Sequence, residues 1–317
     1  MLAAGQGGAA PDSGDAGGFD VRHEGPWRHH TVSANGISFH VAEAGSGPLV
    51  LLLHGFGQYW YSWRHQLPAL ADAGFRAVAV DLRGHGGTDA PPRGYDAFTL
   101  TEDTSGLIGA LGERSAVLVG HGFGGLTALN TALLEPERVR AVVALAAPNP
   151  AALATPGSSL RVDRHGRMLL AAALPTFLPM RLRRHHGVLL ERIVRKHAGT
   201  AWKRTDDFAD AVGKLRRAIE LPGAARASSE QLRWLARSPW RADGHRHRDA
   251  LSRLQISAPV TQVGGQHDAF VPVERFVGTE RHCAGDYRRV VIGDIGHYAA
   301  EEAPDQVNEL IVTASSG

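Results

Sequence analysis

The sequence predicts an α/β fold: a mostly parallel central sheet flanked by helices, with a helical lid inserted after the sixth core strand. Three observations carry this reading. Short continuous apolar runs alternate with helix-period segments from about residue 29 to 148. The alternation stops at Pro148–Pro150, and a helix-period block follows over 151–250. It then resumes from 259 to the end. Apolar strands separated by helices imply a parallel sheet buried on both faces.

The elements follow in order. ISFHVAEAG (37–45) and PLVLLLHG (48–55) read as strands, and 60–73 has a helical period. FRAVAVDL (75–82) reads as a buried strand, and 99–112 as a helix capped by Thr99 or Thr101. Next come the strand AVLVG (116–120), a helix over 124–135 and the strand RAVVALAAP (140–148). In the lid, Leu189, Leu190, Ile193 and Val194, and then Phe208, Val212, Leu215 and Ile219, recur at helical spacing. After the lid, PVTQVGG (259–265) and YRRVVIG (287–293) are strands, with helices expected near 272–282 and 300–314. The implied organisation is a flexible tail over 1–26, a first core part over 27–150, the lid over 151–250 and a second core part over 251–317.

Composition bounds the function. The chain has 317 residues, with 34 Lys+Arg against 32 Asp+Glu and a formal charge of +2. That balance argues against a nucleic-acid partner, and 43% apolar content excludes a wholly disordered chain. The balance is uneven along the chain, near +12 over 150–248 and −10 elsewhere. The sole cysteine, Cys283, excludes an internal disulfide and reads as a small buried apolar group. The first twenty residues lack the basic and apolar regions of a signal peptide. The longest apolar stretch, 168–180, is 13 residues with two prolines, short of the ~20 a membrane span needs. The expected location is cytoplasmic, with the basic lid as a surface that could sit against a membrane. His29–His30, His185–His186 and the HRH at 245–247 lack a metal-site spacing and read as surface residues, so neither metal nor cofactor is expected.

The segment VLVGHGFGGLTALN (117–130) lies at a strand-to-helix junction. A G-x-nucleophile-x-G elbow belongs at such a place, because its sharp turn lifts the middle side chain above the sheet. Here the flanks are Gly120 and Gly124 and the middle residue is Gly122. The same residues spell G-x-G-x-x-G, but the following strand has no acidic residue at its end, which argues against a dinucleotide site. Downstream, GGQHDAFVP (264–272) places Asp268 just beyond a strand, and IGDIGHYAAEEAP (292–304) places His297 in a loop after the last one. In that order Asp268 would orient His297 as a general base. The backbone N–H groups of Phe56 and Phe123 would face a developing oxyanion. His121 reads as a packing residue on the pocket floor. Trp60 and Trp63 line the pocket or pack the core.

With these parts, HGFGQYWYSWRHQLPALADAGFRAVAVDLRGHGGTDAP (54–91) resembles the epoxide-hydrolase branch of the α/β-hydrolase family. The resemblance implies that fold, a small or medium apolar substrate under a lid, and a nucleophile at the position held by Gly122. Three departures stand out. The family's Asp, or the Ser of its esterases, is replaced by Gly122, and its Pro after HGF by Gly57. Its lid tyrosines have no counterpart, since all five tyrosines (59, 61, 95, 287, 298) lie outside 151–250. Three readings follow: a pseudo-hydrolase that binds a hydrophobic small molecule or a protein partner; a non-covalent hydrolase in which Asp268 and His297 activate water; or a peripheral membrane or interaction protein whose basic lid, 151–250, meets an anionic membrane or an acidic partner.

Overall fold

The hairpin Arg28–Ala34 (β1) and Ile37–Ala44 (β2) opens a sheet of eight strands. The computed structural model describes residues 19–154 and 177–316. The further strands are Leu49–Leu53 (β3), Arg76–Val80 (β4), Ala116–His121 (β5), Val139–Leu145 (β6), Val260–Gly265 (β7) and Tyr287–Ile292 (β8). Their spatial order is β1-β2-β4-β3-β5-β6-β7-β8. β2 pairs antiparallel with β1 and β4, and every later pairing is parallel. The chain therefore crosses over from β4 back past β3 to β5, which brings the C-terminal ends of β3 and β5 side by side. β3 and β5 are buried along their whole length, as their unbroken apolar runs require.

The strand β1 is absent from the sequence reading, although a signal for it exists. Asn35 and Gly36 both have positive φ (44° and 75°) between the paired residues Ala34 and Ile37. Asn-Gly in a two-residue loop favours just this hairpin turn, whose twist matches the strands it joins. Of the expected flexible tail, residues 1–18 lie outside the described residues. Within 19–26, Phe19, Val21 and His23 correct the expectation, because they pack on the core while the residues between and after them are exposed. Val21 is buried and its carbonyl accepts the Trp60 indole N–H at 2.8 Å, while His23 Nε2 lies 2.7 Å from the Tyr59 hydroxyl.

Helices Gln66–Asp72 (α1), Ala97–Ala110 (α2) and Phe123–Leu134 (α3) flank the first half of the sheet. α2 starts two residues earlier than its sequence reading. Asp96, rather than Thr99 or Thr101, caps it by accepting the N–H groups of Phe98 and Thr99 at 3.1 Å each. The helix expected near 272–282 is two short turns, Val273–Phe276 and Thr279–His282, separated by Gly278 at φ 91°. The last helix is broken at Pro304 into Ala299–Glu302 and Pro304–Ser316.

Between β6 and β7, Pro150–Ala154 (α4) is followed by helices Phe177–His197 (α5), Asp206–Ala218 (α6), Ala224–Arg237 (α7) and Ala242–Arg253 (α8). Residues 155–176 of the expected helical block lie outside the described residues. α5 is kinked at Arg184–Gly187, where His185 and His186 both adopt left-handed backbone. Leu190 and Val194 of α5, and Phe208, Val212 and Leu215 of α6, are buried in one apolar cluster with the sheet and α1. Polar ties reinforce this seam: Arg64 pairs with Asp207 at 2.7 Å, and Tyr61 donates to Asp210 at 2.7 Å. Among the described residues, no helix is long and apolar enough to cross a membrane. The reading of 245–247 as surface is corrected at His247, which turns inward with Gly244 and Leu251 and lies 2.9 Å from Asn130 Oδ1. His185 and His186 are exposed.

Burial gives the fold a definite acid response. Desolvation lowers the pKa of His54, of His85 and His121 to about 3 each, and of His247 to about 4. Below the ordinary value near 6.5 the unfolded chain takes up protons that the native chain refuses. Stability is therefore full above that value and is lost as pH falls toward 4, by up to about 1.4 kcal/mol per pH unit per histidine. Burial also lowers the half-buried His23, His29 and His30, while it raises Asp103 and Glu301, which oppose the trend, so seven histidines against two carboxylates set its sign. The urea midpoint is expected to be clearly lower at pH 5 than at pH 7, and a flat profile over that range would contradict this account.

Candidate active site

The site is built where β5 meets α3. β5 ends at His121 and α3 begins at Phe123, so Gly122 alone makes the turn, at φ 53° and ψ −109°. Its N–H donates to Leu145 O at 2.9 Å, and its carbonyl accepts Leu126 N–H at 3.0 Å, so the turn is fixed from both sides. The neighbouring glycines have a different task. A Cβ on Gly124 would lie 2.0 Å from Leu53 O, one on Gly120 2.2 Å from Gly124 O, and one on Gly125 2.6 Å from the Ala147 methyl. These three positions let helix backbone lie directly on strand backbone. At Gly122 the nearest atom to an added Cβ is Gly55 Cα at 3.9 Å, so that position faces open space.

Opposite the turn, the loops after β7 and β8 bring Asp268 and His297 together. His297 Nδ1 donates to Asp268 Oδ2 at 2.8 Å, with both side chains almost wholly buried. Asp268 Oδ1 accepts the N–H groups of Phe270 at 2.7 Å and Val271 at 2.8 Å. Burial alone would raise this carboxyl, but the imidazole and the two amides outweigh it and hold it at about 2. An ionised Asp268 keeps the His297 proton on Nδ1 and leaves the Nε2 lone pair available to take a proton. The ring itself is wedged among His121, Phe270 and Tyr298, with centroids 4.7, 4.8 and 5.0 Å away.

His121 is buried between the Gln58 side-chain oxygen, 2.8 Å from Nδ1, and His297 O, 2.9 Å from Nε2. Burial lowers its pKa to about 3, so it sits as a neutral packing residue under the dyad. Phe123 is the first residue of α3, where a backbone N–H has no partner within the helix. Phe56 lies on the turn after β3, its ring 6.3 Å from that of Phe123. Trp63 is fully buried and borders a small void with Ser62, His121, Tyr298 and Glu301, its indole N–H without a hydrogen-bond partner among the described residues. Trp60 belongs to the core, its ring packed on Trp27 and His29 at 5.2 and 4.8 Å.

Beyond Phe123 a pocket runs between Tyr95, Leu100, Leu126, Leu153 and Trp234. Gln231 of α7 lines it with a side-chain amide nitrogen that has no hydrogen-bond partner among the described residues, and no sequence motif marks this position. Gly57 has φ 66°, and the lid's Leu190 sits 2.6 Å from where its Cβ would be. Proline fixes φ near −65° and could not occupy this position as it stands. Among the described residues, the one group of His, Cys, Asp or Glu side chains close enough to share a metal is His65, Asp207 and Glu301. The Arg64 guanidinium already lies between Glu301 at 2.5 Å and Asp207 at 2.7 Å, supplying the positive charge that such a cluster needs.

The family model for the alpha/beta hydrolase fold matches residues 48–304. "Epoxide hydrolase 2" of Siraitia grosvenorii is 32% identical over 89% of this chain and 96% of its own length. "Epoxide hydrolase A" of Mycobacterium tuberculosis (strain ATCC 25618 / H37Rv) is 31% identical over 90% and 96%. The crystal structure of Epoxide Hydrolase A from Mycobacterium thermoresistibile superposes with a TM-score of 0.77 at 27% identity, covering 92% of this chain and 98% of that one.

The elbow geometry separates two alanine substitutions. Gly122→Ala has room but must hold a left-handed backbone, and is expected to cost about 1–2 kcal/mol. Gly124→Ala drives a methyl into Leu53 O and is expected to cost more than about 3 kcal/mol. Urea denaturation of the two variants checks this; equal losses would mean that the strand–helix contact is not the constraint.

Proposed function

The chain belongs to the alpha/beta hydrolase fold family, with epoxide-hydrolase-like relatives, and from that premise we propose that it binds a small apolar ligand beneath its lid without forming a covalent intermediate. The observation that carries this is Gly122. The elbow keeps its turn and its strand–helix contact, yet its centre offers no oxygen, nitrogen or sulfur to attack a ligand. The lid contains no tyrosine, so the hydroxyl donors that the family resemblance implies for an opening epoxide are lacking as well. An apolar pocket lined by Phe123, Leu126 and Trp234 supports an apolar ligand.

The intact dyad favours a second reading. Asp268 and His297 remain hydrogen-bonded and buried, and an added Cβ at Gly122 would meet nothing nearer than Gly55 Cα at 3.9 Å. A water held there would lose its proton to His297 Nε2 as its oxygen attacks the ligand carbon. The same proton would then return to the released oxygen. Catalysis without the nucleophile is expected to reach only ~10³–10⁴-fold over water, the residue left in serine proteases stripped of their triad.

Two measurements test these readings. Intact-mass spectrometry after incubation with styrene oxide or p-nitrophenyl acetate is expected to show no adduct on the wild-type chain, with an ester adduct at residue 122 of Gly122→Asp or Gly122→Ser. An adduct on the wild-type protein sinks the non-covalent reading. A single turnover in ¹⁸O-water should place the label in the first product formed. Loss of that turnover in His297→Ala selects water activation, while absence of turnover in both leaves binding alone.

A further inference from the structure

We infer that Glu302 is a positioning residue for His297, and that through it the lid sets the orientation of the base. The carboxylate of Glu302 accepts three backbone N–H groups. Oε2 receives Gly296 at 2.7 Å and Gly199 at 2.8 Å, and Oε1 receives Tyr298 at 3.0 Å. Gly296 and Tyr298 are the residues on either side of His297. The amide of His297 itself donates to His197 O at 2.9 Å, at the C-terminal end of lid helix α5. Every backbone N–H from 296 to 298 is thus held, one by the lid directly and two by a carboxylate that also grips the lid.

The approach is close enough to dictate residue type. A Cβ on Gly199 would lie 2.2 Å from Glu302 Oε2, and one on Gly296 2.3 Å from His197 O and 2.8 Å from Gly199 N. Side chains at either position would push the lid off the base loop. Ring contacts continue the link, with Phe270 4.8 Å from both His197, tilted, and His297, edge-on. The preceding residue makes a parallel tie, since Glu301 binds Arg64, which binds Asp207 of α6. Two adjacent glutamates therefore fasten the stretch 197–207 of the lid to the loop that carries His297. A charge-assisted bond from one carboxylate to three amides is far stiffer than three separate bonds to water. The direction of the His297 ring, and hence of its Nε2 lone pair, follows from where those amides are held.

This inference rests on reading His297 as the base, but its test reads the resting protein and needs no turnover. The Nδ1–H of His297, bonded to Asp268, is followed by proton NMR of ring-¹⁵N-histidine protein, with its solvent exchange rate as the observable. Glu302→Gln keeps the shape but turns an N–H donor toward amide donors, and is expected to raise the exchange rate by about tenfold or more. Gly199→Ala, whose methyl would lie 2.2 Å from Glu302 Oε2 and 3.2 Å from Gly296 N, presses on the same junction from the lid and should do the same. Arg195→Ala, which loosens the lid elsewhere by removing the contacts to Glu191 and Phe208, should leave the rate unchanged. Unaltered exchange in both Glu302→Gln and Gly199→Ala overturns the inference, as does an equal rise in Arg195→Ala. Should Glu302→Gln fail to fold, Glu302→Asp, one methylene too short to bridge, replaces it. A protein without hydrolytic activity but with these exchange shifts would refute turnover and leave the positioning role standing.

Discussion

The structure depends on a backbone-to-backbone contact. Helix α3 lies so close to strands β3 and β5 that hydrogen atoms alone fit at Gly120 and Gly124. This contact fixes where α3 starts, and so where its first N–H groups point. It also fixes the single residue available to turn the chain. Once β5 and α3 meet in this way, residue 122 must take a left-handed conformation and face outward, whatever its side chain. The chemistry is carried on a turn whose shape is settled by its neighbours.

The opposite wall of the site is held by charge rather than by steric contact. Asp268 is ionised because an imidazole and two amides outweigh its burial, and it in turn fixes the tautomer of His297. His121 lies beneath as a neutral spacer, bound to the His297 carbonyl. One wall is therefore specified by the absence of side chains and the other by a chain of hydrogen bonds. The lid belongs to the second wall, through Glu302 and His197.

Much of this was legible in the sequence. Apolar runs gave the parallel strands, because burial on both faces leaves no room for polar residues. The spacing of Gly120, Gly122 and Gly124 gave the elbow, and the order of Asp268 and His297 gave the dyad. What was not legible depends on partners distant in the chain. Asp96 took the α2 cap from the threonines because the loop before the helix is held in extended backbone, which local propensity does not reveal. His247 turned inward because α8 presents Gly244, His247 and Leu251 on one face toward Asn130. Glu302 has no signal of its own, since two adjacent glutamates in the first turn of a helix say nothing of the three amides that converge on one of them. The strand β1 was legible at Asn35–Gly36, whose two positive φ angles turn the chain between the paired residues Ala34 and Ile37.

The two glycines that depart from the pattern the resemblance implies would receive a side chain differently. At Gly122 the nearest atom to an added Cβ is 3.9 Å away, so its surroundings admit one. Gly57 is embedded. Its φ of 66° excludes proline, and Leu190 of the lid rests against it, so a proline there would require the turn and the lid to be rebuilt together. One position is open to replacement by itself, and the other is tied to the packing of a segment more than a hundred residues away in the chain.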